Sequence, residues 1–385
     1  MTPTESWIIR HAQVLADTTL SMRDLYIADG VFQDEPAAHA RQIDGRGLLA
    51  LPGIVDIHGD AFEKQIMPRP GVAFPIDMAL IETDRQLVAN GITTAYHALT
   101  WSWEPGLRGA EGARAMVDAV ERLRPGLSAD TRIHLRHETF NLDAEAEIIG
   151  WIGAGRIGCL AFNDHMEGTL KSRSRPEKVG KMIERTGLSR HAFLELVDEV
   201  YERREEVPGA IERLAAAARD AGLPMLSHDD TSPAQRAWFR DLGVSIAEFP
   251  INEETTAAAG AAGESIVFGA PNVIRNGSHT GCPSASDMVS RGLCTALASD
   301  YYYAALLAAP FRLAAAGVAA FSDAWALVSR GPANALGLHD RGSIRAGLRA
   351  DMILVDPNAV GGDPDVAFTF VGGALRHARR SVSMI

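Results

Sequence analysis

Between residues 51 and 339 the chain alternates short apolar runs rich in β-forming residues with longer amphipathic stretches, and nothing else in the sequence narrows the fold as much. The β-type runs cover 53–58, 92–97, 132–137, 157–162, 224–227, 244–249, 265–269 and 295–299. Most are separated by stretches whose apolar residues recur with the helical period, such as 110–123 and 210–221, the latter stopping at Gly222. A strand, a helix and a further strand pack most simply as a parallel pair with the helix laid across one face. Eight such units close into a (β/α)8 TIM-like barrel, whose reactive groups stand at the carboxyl ends of the strands.

The chain ends have a different texture. Short apolar runs at 7–9, 12–15, 24–27 and 42–44 are punctuated by Gly30, Gly45 and Gly47, and the pattern returns at 351–355 and 368–371 with the turn Gly372-Gly373. Either piece alone would leave unpaired edges and an unburied face, so both ends are expected to build one small β-sandwich domain. The reading is an α/β protein in two parts: residues 1–50 with 340–385 as the β-sandwich, and 51–339 as the barrel. The longest insertion, 163–223, contains the charged stretch 171–178 and reads either as a solvated surface excursion or as a lid.

Polar residues of metal-ligand type follow the apolar strands repeatedly. His58 and Asp60 follow GIVDI, Glu138 follows RIHLRH, His165 follows LAFND, His228 follows PMLS, and Asp300 follows TALAS. Strand alternation places His58 and Asp60 on one side of the chain. A single histidine after a strand is commonly a structural residue, but six such positions at strand ends point to one shared site, because charged groups are seldom buried without a partner. Imidazole nitrogen with carboxylate oxygen is a donor set for one or two divalent ions of the zinc, manganese or iron kind.

Several residue groups resemble the amidohydrolase superfamily: LPGIVDIHGD at 51–60, GITT at 91–94, SHDD at 227–230, ASD at 298–300 and GSIRAGLRADMILVD at 342–356. A narrower set is similar to the α-D-ribose 1-methylphosphonate 5-triphosphate diphosphatases of the carbon-phosphorus lyase pathway. It comprises HGDAFEKQIMPRP (58–70), SHDDTSPA (227–234), IAEFP (246–250), GAPNVIRNGSHTG (269–281) and SDYYYAALLAAPFR (299–312). The resemblance implies a metal-bearing barrel with a β-sandwich made from both termini. It also implies hydrolysis of a ribose 5-triphosphate to the 5-phosphate and pyrophosphate in phosphonate catabolism. The wider superfamily's commonest first motif is His-x-His and its commonest bridging ligand is a carbamylated Lys; here stand His58-Gly59-Asp60 and Glu138. In the superfamily the final-strand Asp, here Asp300, accepts the proton of a metal-activated water.

Charge bears on the substrate. Lys and Arg number 37 against 49 Asp and Glu, a net charge of -12 that disfavours nucleic acid as a partner. A small-molecule polyphosphate sugar then requires local cations, and the candidates near the motifs are Arg69, Lys64, Arg275 and Arg312, with His279 in a Gly-Ser loop. Lys64 and Arg312 read equally as surface charges, Arg69 less so because two prolines hold it, and the loop of His279 reads equally as ordinary turn chemistry. Asp229 and Asp230 are expected to divide between orienting an imidazole and facing solvent. Tyr301 to Tyr303 read as a wall of the ribose site or as packing at the start of a helix, and His97, His134 and His137 as structural or supporting residues. Cys159, Cys282 and Cys294 form neither a disulfide framework nor a zinc knuckle, which suits a reducing compartment. No apolar run reaches the ~20 residues of a spanning helix, so no membrane partner and a cytoplasmic location are expected, and self-association into a homo-oligomer is compatible with the sequence. Two other readings share the scaffold: a deacylase or deaminase cleaving a C-N bond, and a noncatalytic subunit of a phosphonate-processing assembly.

Overall fold

The structure is a computed structural model that describes residues 5–173, 175–277, 282–359 and 361–379. The N-terminal segment builds five strands: β1 (Trp7–Ala16), β2 (Thr19–Ala28), β3 (Val31–Gln33), β4 (Arg41–Asp44) and β5 (Leu49–Pro52). β1 and β2 form an antiparallel hairpin turned at Asp17, and β1 also takes β4 and β5 as parallel neighbours. The chain then leaves this sheet across Gly53. A side chain there would collide with Thr93, so the crossing point has no room for a Cβ.

The barrel follows as eight strands: β6 (Ile54–Gly59), β7 (Ile92–Trp101), β8 (Asp130–Glu138), β9 (Cys159–Asn163), β10 (Met225–His228), β11 (Ile246–Glu248), β12 (Ser265–Gly269) and β13 (Ala296–Ala298). Each pairs in parallel with the next in sequence order. The ring closes where the Asp300 N–H donates to the His58 carbonyl at 2.9 Å and the Asp60 N–H to the Asp300 carbonyl at 2.9 Å. All eight β-type runs read from the sequence fall on these strands. One apolar cluster takes Val55, Tyr96, Ala161, Leu226, Val267 and Ala298 from different strands and fills the barrel interior, so the ring is a packed core rather than a channel.

The chain returns to the first sheet in β14 (Met352–Asp356), β15 (Asp365–Val371) and β16 (Ala374–Ala378), giving the order β16-β15-β14-β5-β1-β2-β3 with β4 on β1. Trp7 on β1 meets Phe370 on β15 edge to face at 5.4 Å between ring centroids. Two strands intervene between them, and at about 4.8 Å per strand a flat sheet would hold the pair far apart. The sheet therefore curls over its own core. β5, β14 and β15 also send Leu51, Ile353 and Val366 into a cluster shared with Leu87, Ile92 and Trp325 of the barrel.

The 163–223 insertion is helical rather than an irregular loop. Helices Met166–Ser172, Pro176–Thr186 and Arg190–Glu202 gather a small core of Met166, Val179, Phe193 and Val197, against which Trp103 and Phe140 pack. Among the described residues no helix is long and apolar enough to cross a membrane.

Candidate metal centre

Strand alternation delivers the site. On β8, His134, Arg136 and Glu138 share one side, while Ile133 and Leu135 pack outward under the surrounding helices. Gly59 is needed between His58 and Asp60 because a Cβ there would lie 2.6 Å from Asp56 Oδ2 and 2.9 Å from Ser299 Oγ. Asp56 accepts the Ser299 N–H at 3.0 Å and the Ser299 hydroxyl at 2.6 Å, tying the first barrel strand to the end of the last. Asp229, Phe249 and Asp300, each just beyond a barrel strand, adopt left-handed φ of 59°, 54° and 54°. Such strain outside glycine persists where the surroundings enforce it, and here it aims side chains across the mouth.

Three groups of donor atoms result, each within 4.8 Å: His58, Asp60 and Asp300; His165, His228 and Asp229; and His58, His134 and Glu248. Of the predicted ligands, His58, Asp60, His165, His228 and Asp300 fall in these groups. Glu138 stands beside them and accepts a bond from His165 Nδ1 at 2.6 Å. His165 lies two residues beyond the strand, at the N-cap position of helix Met166–Ser172. All donors are nitrogen and oxygen, so the residues fit one or two divalent cations.

Glu248 is the main residue that sequence reasoning missed. Fully buried at the end of β11, it accepts from His58 Nδ1 at 2.8 Å and from His228 Nδ1 at 2.7 Å. An imidazole that donates from Nδ1 presents its Nε2 lone pair, so Glu248 sets the tautomer of both rings. Burial opposes its ionisation, but the neighbouring His58 and His134 and the ring N–H donors outweigh that and hold its carboxyl well below the ordinary range. Burial keeps His58 neutral by pushing it down to about 3. His165 moves the other way, raised to about 9 by the charge of Glu138 against the cost of burial. Burial, with the charge of Asp60, raises Asp300 to about 7.

Arg136 was also missed. Its guanidinium is buried, lies 3.2 Å from His228 Nε2 and 3.7 Å from Asp60 Oδ2, and bonds the Asn163 side-chain oxygen at 3.1 Å once that amide is oriented to accept. The period-two pattern of RIHLRHE carried the signal, since it puts Arg136 in step with Glu138. Arg136, Lys171 and Arg275 line a cavity of about 920 Å³ together with His58, Asp60 and Asp300.

The other predicted contacts have different surroundings. Lys64 donates to the Tyr301 carbonyl at 3.3 Å, and Arg69 lines a neighbouring hollow of about 230 Å³ rather than this cavity. Arg312, in the last turn of helix Ala304–Ala315, pairs with Asp363 at 3.3 Å and does not line this cavity. Arg275 reaches the Tyr301 hydroxyl at 3.2 Å. His279 lies outside the described residues. Tyr301 lines the cavity, Tyr302 is exposed, and Tyr303 is buried behind Gly59, where it packs as the second reading of this run expected. Asp229 stands 3.7 Å from His165 Nε2, whereas Asp230 is buried against Ser227 and Arg236 rather than solvated.

This barrel with a nitrogen and oxygen donor cluster at its mouth places the chain in the amidohydrolase family, whose profile matches residues 85–377; it is a hydrolase of that family. The chain is 31% identical over 361 residues, 90% of its own length and 94% of the relative's, to the α-D-ribose 1-methylphosphonate 5-triphosphate diphosphatase of Escherichia coli (strain K12). Among solved structures it resembles dihydropyrimidinase from Brevibacillus agri NCHU1002, with a TM-score of 0.66 at 13% identity over 98% of this chain and 96% of that one. It likewise resembles molinate hydrolase, with a TM-score of 0.65 at 13% identity over 98% and 95%. These two likenesses concern the fold alone.

Proposed function

We propose that the protein hydrolyses α-D-ribose 1-methylphosphonate 5-triphosphate to the 5-phosphate and pyrophosphate. The observation that carries the reading is the shared cavity, whose lining adds Arg136, Arg275 and Lys171, the last paired with Glu167 at 2.8 Å, to the carboxylate and imidazole cluster. A triphosphate needs such cations, and a planar guanidinium matches phosphate oxygens in pairs. The 31% identity to the named diphosphatase supports the same assignment.

His58, Asp60, Glu138, His165, His228, Asp229 and Asp300 would hold one or two divalent ions; the oxygen-rich set suits manganese or iron, with zinc as a third candidate. When bound, such ions lower the pKa of a coordinated water and neutralise charge that develops on phosphate. Glu248 keeps His58 and His228 in their donating orientation. Asp300, at the end of the last barrel strand, takes the proton of the attacking water. Arg136 and Arg275 align the polyphosphate so that water adds at the α-phosphorus, the α–β anhydride bond breaks and pyrophosphate departs.

Phosphorus NMR of a reaction run in ¹⁸O-labelled water with added manganese tests this. The expected products are unlabelled pyrophosphate and a 5-phosphate that carries the label. Release of orthophosphate, or no cleavage of triphosphates alongside hydrolysis of a cyclic amide, would refute the assignment.

A further inference from the structure

Beside the main cavity lies a second one of about 450 Å³, and Gly168 lines both. Its inner wall is Glu138 and His165, and the helical insertion forms its outer wall through Thr169 and Met182. The lining is chemically unlike that of the main cavity. Three cations line the larger space; here Arg108 donates from Nε and Nη2 to both oxygens of Glu63 at 2.9 and 2.8 Å, and the carboxylates Glu104 and Glu138 share the lining with it. Trp103 and Met182 supply apolar surface, while Thr100, Ser102 and Thr169 supply hydroxyls. The Thr100 side chain is 2% exposed, and its hydroxyl has no hydrogen-bond partner among the described residues. A buried hydroxyl left unpaired is costly, and folded proteins seldom keep one without a use.

We propose that this side cavity is the subsite for the pentose ring and its alkylphosphonate substituent, an inference that rests on the triphosphate reading of the main cavity. Thr100 and Thr169 meet ring oxygens, Arg108 meets the phosphonate, and Trp103 with Met182 pack on the alkyl group. The highly charged triphosphate then occupies the cavity lined by three cations, and the less charged end of the same molecule occupies the one where hydroxyls, Arg108 and two carboxylates are mixed.

Two probes separate the two cavities: α-D-ribose 1-methylphosphonate, which lacks the triphosphate, and inorganic tripolyphosphate. Calorimetric titration of the wild-type protein with the first should show binding. Thr100→Val keeps the side-chain shape and should weaken that binding about tenfold, while Arg108→Gln should abolish it. In both variants the loss for tripolyphosphate should be at least tenfold smaller than for the sugar phosphonate. No binding of the fragment by wild type, or equal losses for both probes, overturns the subsite. Should Arg108→Gln fail to fold, Thr100→Val decides alone, since removing an unpaired hydroxyl leaves the core intact. Selective loss of fragment binding in a protein that cleaves no triphosphate would uphold the subsite and refute the reaction. Triphosphate cleavage with unchanged fragment binding would do the reverse.

Discussion

At the scale of single residues the centre depends on groups that touch no substrate. Glu248 holds two imidazoles with its two oxygens, so neither ring can turn without losing its partner. Glu248→Gln keeps the shape but provides one acceptor oxygen, and one ring loses its orienting bond. Supporting partners of this kind are worth 10–100-fold in metal affinity. Competition against a chelating dye should therefore show weaker manganese binding in the variant by about that range, and unchanged affinity would count against the orienting role. Glu248 was hard to read from the sequence because it acts through His58, which lies 190 positions earlier in the chain. His58, Asp60 and Asp300 were legible because strand ends announce themselves locally.

At the scale of elements, β8 is anchored at its start as well as at its functional end. Asp130 bonds Arg341 Nη1 at 2.7 Å and Arg132 Nη2 at 3.0 Å, linking the strand to the segment that leads into β14. Burial alone would raise this carboxyl, but the guanidinium groups of Arg132 and Arg341 prevail and hold it at about 2. Its folded pKa thus lies below the 3.8 of an unperturbed aspartate, so the stabilisation is present in full above about pH 4 and is lost as pH falls toward 2. Chemical denaturation of wild type and Asp130→Asn should differ by about 2 kcal/mol at neutral pH, the gap closing across that acidic window. A gap independent of pH would show that Asp130 contributes through shape rather than charge. The barrel strands were legible because buried parallel strands leave continuous apolar runs. Within 163–223 the helix at 207–220 was legible from its period, but the three before it were not, since their charged residues pair with one another, as Arg173 does with Asp198, and mimic a solvated loop.

At the scale of the whole molecule, the curled sheet and the barrel share one apolar cluster. Trp325 Nε1 donates to the Pro52 carbonyl at 3.1 Å and the Thr369 hydroxyl to the Val88 carbonyl at 2.7 Å across the same junction. Ile353, fully buried in that cluster, lies where the two parts meet. Ile353→Ala should cost about 2–5 kcal/mol and lower a single calorimetric transition. Two resolved transitions, with only the earlier one shifted, would mean that the sheet and barrel melt independently.

The local pattern determined the alternation of strand and helix and the strand-end position of the acids and histidines. Those features depend on contacts between near neighbours in the chain, and steric preference writes them into short stretches. Only the closed ring decided which strand ends converge. Asp56 and Ser299 are 243 positions apart, yet their bond joins the first strand to the last and brings His58 to Asp300. Closure likewise selected among the cations: it turned Arg136 inward to the donors and left Arg312 paired with Asp363 outside, because a side chain's partner is set by the space around it and not by its neighbours in sequence.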